Sequence, residues 1–76
     1  MNYDHAAAGR IIRKLRKERG MSQETLSGLA SIGRSHLAMI ESGSKNASVD
    51  TLWRIAKALD MRLSELIAVI ESEMEE

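Results

Sequence analysis

Apolar residues recur at helical spacing in five successive short segments of this 76-residue chain, and no proline interrupts them. That periodicity, with Phe absent and only one Trp and one Tyr present, leaves helices as the material of the fold. The first segment, about Ala6 to Arg19, carries Ala8, Ile11, Ile12 and Leu15 on one face and stops at Gly20. Ser22 suits the cap of a second, SQETLSGLA, in which Leu26, Leu29 and Ala30 are expected to form one apolar edge. After a break at Ser31 to Gly33, a third segment, about Arg34 to Ser42, turns Leu37 and Ile40 inward and ends at Gly43. The polar loop SKNA leads to Ser48, which caps a fourth segment with Val49, Leu52, Ile55, Ala56 and Leu59 on one face. Leu63, Leu66, Ile67, Ile70 and Met74 mark the fifth.

The second and third segments, each of about nine residues and joined by about three, have the pattern of a helix-turn-helix over about residues 22–42. The expected architecture is all-α, a single five-helix domain over residues 1–76. A domain of this length buries only about 60% of the surface its unfolded chain exposes, so its core is thin.

Charge is distributed unevenly along the chain. Residues 1–62 hold all 11 Lys and Arg against 6 Asp and Glu, a net of +5, whereas residues 63–76 hold 5 Glu and no base. The densest cluster is GRIIRKLRKERG, where Arg10, Arg13, Lys14, Arg16, Lys17 and Arg19 stand against Glu18 alone. A basic body suits a polyanion such as nucleic acid, and equally a solvated helix face. The first ten residues lack the apolar core of a secretory signal, and no run reaches the roughly 18 apolar residues of a membrane span. A soluble, cytoplasmic protein is expected.

Arg34, Ser35 and His36 stand together where the third segment begins. A helix about 10–12 Å across fits the B-DNA major groove, about 12 Å wide, and the helix that enters exposes its N-terminal turn to base edges. With Leu37 and Ile40 anchored on the core, Arg34, Ser35, Ala38 and Met39 occupy the outward arc. Arg34 can then take guanine O6 and N7 bidentately or clamp a phosphate, Ser35 is permissive, and Met39 can pack on a thymine methyl. Phosphate contacts are expected on either side: Ser22 and Gln23 at the start of the second helix, and Ser42, Lys45 and Asn46 after the third.

Enzymatic and metal-binding readings fail on composition and geometry. With no Cys, and with His5 and His36 in different segments, no zinc set is available. Neighbours Ser35 and His36 point about 100° apart on a helix, which is no arrangement for a nucleophile and its base. No cofactor motif is visible, and Trp53 is expected to be a packing or dimer-edge residue, since one aromatic is insufficient as a base-stacking platform.

The stretch from Gly9 to about Ile67 resembles the Cro and phage-repressor type of helix-turn-helix regulator, also called the xenobiotic-response-element family. The resemblance rests on Arg13, Arg16 and Gly20 of R-x-x-R-x-x-x-G, then M-S-Q-E-x-L, then Ile32, Leu37 and Ile40, then I-E-S-G, K-N-x-S and S-V-D-T-L-W-R-I-A-K-A-L. The short E-S-G-S-K-N-A-S segment is most similar to controller proteins of restriction-modification systems. The resemblance implies a lambda-repressor-like fold and a sequence-specific, double-stranded DNA-binding transcriptional regulator, with RNA polymerase as a further partner. It also implies a phosphate contact at the position of Gln23 and an ion pair between Arg16 and Glu41. His36 falls where the family has an aromatic or Thr packed near the backbone, which implies packing or phosphate contact there. The family's Gly stands where this chain has Ser31 and again where it has Asp60, and its Ser or Thr stands where this chain has Gly33 and Arg62. Its Ala at an inner position of the second helix is replaced by Ser27.

One reading head discriminates too little against a genome, because each bidentate base contact contributes about 1–3 kcal/mol. Pairing two heads is the usual remedy, and the resemblance implies a two-fold homodimer reading half-sites about 34 Å apart. The fifth helix, about residues 63–74, is the expected dimerisation surface, through Val69 and parts of Leu66, Ile67, Ile70 and Met74. From residues alone, a protein-binding adaptor or antitoxin whose acidic fifth helix holds a partner remains an alternative.

Overall fold

A computed structural model describes residues 2–75, so that Glu76, the last residue of the acidic end, lies outside it. Five helices follow one another: α1 (His5–Glu18), α2 (Gln23–Ala30), α3 (Arg34–Ser42), α4 (Val49–Ala58) and α5 (Leu63–Met74). Among the described residues there is no strand, and no helix is long and apolar enough to cross a membrane. The starts of the helices follow side-chain chemistry. The Asp4 carboxylate accepts from the Ala6 N–H at 3.0 Å, and Ser22 and Ser48 accept from Thr25 and Thr51 N–H at 3.0 and 3.1 Å. At Arg62 the guanidinium has no acceptor to offer, and the Glu65 carboxylate instead reaches back to the Arg62 N–H at 2.8 Å.

Helices α1 to α4 all stop in the same backbone device, a left-handed residue followed by an N–H that reaches back five residues. The left-handed positions are Gly20, Ser31, Gly43 and Asp60. The N–H groups of Met21, Ile32, Ser44 and Met61 bond to the carbonyls of Arg16, Ser27, Met39 and Ala56 at 2.8–3.1 Å. Met21, Ile32 and Met61 then fold back onto the core as the apolar contact of the motif. Ser31 and Asp60 are thus L-residues in a conformation that costs most side chains roughly 1–2 kcal/mol, though Asp tolerates it better. Ser31→Gly is expected to raise stability in urea denaturation by about 0.5–1 kcal/mol, after the greater chain entropy of unfolded Gly is deducted, and Asp60→Gly by less.

Eight large side chains are fully buried: Ile12, Leu26, Leu37, Ile40, Ile55, Leu59, Leu66 and Ile70. They come from all five helices, so the core is shared rather than owned by any pair. Two expected core residues lie elsewhere. Leu29 is 60% exposed, because the buried arc of α2 runs through Leu26, Ala30 and Ser27 and leaves Leu29 beyond its edge. Ser27, the polar residue on that arc, is satisfied by donating to the Glu24 carbonyl at 3.1 Å. Val49 is 70% exposed, and the buried arc of α4 begins only at Leu52.

One polar tie and one close backbone approach position the helices. The Arg19 guanidinium, one of the basic cluster of α1 and its end, donates to the Leu59 carbonyl at 2.9 Å, joining the ends of α1 and α4. Near the other end of α1, Gly9 is pressed against α3. An added Cβ there would collide with the Ile40 carbonyl oxygen and stand 3.0 Å from that of Glu41. The methyl of Ala6 likewise lies 3.1 Å from where a Cβ on Gly43 would stand. Small residues at positions 6 and 9 therefore let α1 run directly over the C-terminal half of α3.

Candidate nucleic-acid interface

Helix α3 is held along one edge and free along the other. Leu37 and Ile40 are sealed in the core, while Arg34, Ser35 and Met39 are exposed and Ala38 and His36 are half-buried. Gly33 caps the helix by backbone geometry alone, without a side-chain hydrogen bond. The Arg34, Ser35 and His36 N–H groups are the first three of the helix, which have no carbonyl partner within it and face outward at the positive end of its dipole. Arg34 and His36 make no hydrogen bond or ion pair to other described residues, so the guanidinium is unengaged.

The flanks are built by hydrogen bonds that fix loops against α3. The Met39 carbonyl accepts from the Ser44 and Lys45 N–H groups at 3.0 and 3.2 Å, and the Ser42 hydroxyl donates to it at 3.0 Å. This draws the turn after α3 tight and sets exposed Lys45 and Asn46 beside the end of α3. On the other flank, Ser22 is occupied as a cap, its hydroxyl donating to Thr25 Oγ1 at 3.0 Å. The Gln23 amide donates to Glu41 Oε1 at 3.1 Å, leaving its second N–H uncommitted.

Beneath this face lies a buried ion pair. Arg16 Nε and Nη2 donate to the two oxygens of Glu41 at 2.7 and 2.9 Å, and Arg16 Nη1 donates to the Met21 carbonyl at 2.8 Å. The residues are 7% and 6% exposed, and every buried side-chain polar atom among the described residues has a partner. The bonds from Glu41 hold the Arg16 guanidinium even more firmly protonated than usual, outweighing desolvation, which acts in the opposite direction. One pair thus ties α1, the turn before α2 and the end of α3 together, and through Gln23 it also orients the start of α2.

The fifth helix requires a correction. Leu66 and Ile70 are fully buried within the single chain and have no surface to give a second one. Ile67 and Met74 are partly buried against the same core. Val69, 36% exposed, is the large apolar residue that α5 presents outward, beside Ala68. Trp53 is half exposed on α4, with the Lys57 ammonium 4.9 Å from its ring centre and Leu29 across a shallow cleft. Among the described residues no group of His, Asp or Glu is placed to hold a metal ion.

A short helix anchored by two buried residues, free along its opposite edge and flanked by a second helix N-terminus, defines a helix-turn-helix domain. The chain belongs to the helix-turn-helix family HTH_3, whose model matches residues 12–66. It is 38% identical over 66 residues to the control protein C.MunI of Mycoplasma sp, covering 86% of this chain and 89% of that protein. Among solved structures it is similar to the restriction-modification controller protein C.AhdI from Aeromonas hydrophila, with a TM-score of 0.80 and 37% identity over 86% of this chain and 98% of that one. It also matches the controller protein C.Esp1396I, solved as a tetramer with its natural 35 base-pair operator, at TM-score 0.89 and 25% identity over the whole of both chains.

Proposed function

We propose that the chain is a transcriptional regulator of the controller type, binding double-stranded operator DNA as a dimer with α3 of each copy in a major groove. The observation that carries this reading is the division of α3 into a sealed edge, Leu37 and Ile40, and an unengaged edge of Arg34, Ser35 and Met39. In this arrangement Arg34 and Met39 reach base edges and Ser35 assists, while Lys45, Asn46, Ser42, His36 and the start of α2 at Ser22 and Gln23 meet phosphates. The relatives named as control proteins and the operator-bound tetramer of C.Esp1396I support the same role. Dimerisation falls to the outward face of α5 around Val69, with the exposed edges of Ile67 and Met74. RNA polymerase is the further partner through which operator occupancy acts on transcription.

Selection of bound duplexes from a random pool supplies the ligand for a test, and a two-fold symmetric consensus is expected from it. Against that consensus, Arg34→Ala flattens the preference for matched over mismatched sites, by about 1–3 kcal/mol at one position of each half-site. Lys45→Ala weakens matched and random duplexes by the same factor. Identical behaviour of the two variants in competition binding overturns the division of roles.

A further inference from the structure

We propose that Arg13 is a phosphate-clamping residue, taking one DNA backbone phosphate into the cleft between α1 and the C-terminal half of α3; this rests on the DNA-binding role above. The cleft encloses about 350 Å³ and is lined by Arg13, Arg16, Gln23, Ala38, Glu41 and Ser42, from three helices. Its floor is the Arg16 and Glu41 pair, whose opposite charges are joined bidentately and sum to no net charge. Arg13 is therefore the one lining residue that brings uncompensated charge. It is exposed and makes no hydrogen bond or ion pair to other described residues.

Its position follows from helical geometry. Arg13 stands three residues before Arg16, about 60° further round α1, on the side where Gly9 and Arg16 meet α3. Opposite it on the cleft rim are Ala38, too small to obstruct, and the Gln23 amide, whose uncommitted N–H supplies a second donor. A cation in fork geometry beside an amide donor, over a neutral floor, is a receptor for a phosphodiester oxygen pair. The site lies behind the reading edge of α3, where the backbone bordering an occupied groove passes. It reads no sequence and fixes how far α3 advances into the groove.

Lys14 provides the matched control. It carries the same charge, is also exposed, and lies about 160° from Arg16 around α1, away from the cleft. Binding of purified full-length protein to the selected duplex and to a random duplex is measured across a salt series. Arg13→Ala is expected to reduce the slope of log K against log salt by about 0.9 and to weaken both duplexes equally, on the order of 3- to 10-fold. Lys14→Ala is expected to leave slope and affinity near those of the unsubstituted protein. Neutral methylphosphonates placed one at a time along the selected duplex then locate the contact. One position should weaken the unsubstituted protein by the same factor and cost Arg13→Ala nothing more. An unchanged slope in Arg13→Ala, or an equal change in Lys14→Ala, overturns the clamp while leaving DNA binding intact. A flat salt dependence in the unsubstituted protein overturns the DNA-binding role and the clamp with it.

Discussion

Arg16→Ala is expected to cost about 3–5 kcal/mol of folding stability in urea denaturation, because it strands the Glu41 carboxylate in the interior. At 6% exposure Glu41 cannot turn to water, and only the Gln23 amide remains to it. The Met21 carbonyl loses its side-chain donor in the same step. Globular domains have roughly 0.05–0.15 kcal/mol per residue in hand, so a loss of this size leaves a chain this short barely folded. A loss below about 1 kcal/mol, the range of exposed pairs, shows that the pair is solvated in solution. The double replacement Arg16→Met with Glu41→Leu should be markedly less destabilised than Arg16→Ala, since it removes the stranded charge along with its partner. The pH dependence has a defined sign. A guanidinium whose folded pKa is raised stabilises fully below its unfolded pKa and loses that contribution only as pH climbs through the folded one. Arg16 titration therefore contributes no slope across the neutral range, and strongly alkaline conditions are needed to draw it out.

Gly9→Ala should destabilise the fold by about 3 kcal/mol or more, at or beyond the upper end of ordinary overpacking. Helix propensity alone predicts the opposite sign, since Ala in a helix interior is better than Gly by about 1 kcal/mol. The clash decides, because the atoms in the way are the Ile40 and Glu41 carbonyl oxygens, which are backbone and cannot rotate aside. Relief requires α1 to lift from α3, and that movement stretches the Arg16 and Glu41 bonds two turns further along. Gly28→Ala is the natural comparison, for it too is a helical glycine but with nothing within 4 Å of an added Cβ. It should gain up to about 1 kcal/mol. Paired thermal or urea melts check both signs at once, and a stabilised Gly9→Ala means that the two helices do not cross this closely.

These contrasts show what periodicity makes legible. The five helices, their order and the inward residues of α3 follow from apolar spacing and from turn residues at 20, 31–33 and 43, because local chemistry fixes them. The role of Gly9 is invisible to that reasoning. A glycine among Ala6, Ala7 and Ala8 signals a close helix crossing only once the opposing backbone is known. Leu29 and Val49 fail for a related reason: a spacing of three or four identifies an arc, while its edges are set by where the neighbouring helix ends. The Arg16 and Glu41 pair lies 25 residues apart in sequence and carries no local signal, so only the family resemblance points to it. The family's Gly at the positions of Ser31 and Asp60 likewise has its physical reason in the left-handed backbone there. On α5 the spacing counted Leu66 and Ile70 twice, once for the core and once for a partner, and the core takes both. Arg13 and Arg19, alike in a basic run, separate only in three dimensions, one facing an open cleft and the other bound to Leu59.

Backbone amide shifts of the 15N-labelled protein, followed by NMR during titration with the selected duplex, test most directly whether α3 is the reading element. The largest perturbations are expected at residues 34–39, with smaller ones at 22–24 and 42–46 and none concentrated on the α4 face around Trp53. Perturbations centred on α4 or α5, with residues 34–39 unmoved at saturation, contradict the placement of α3 in the groove.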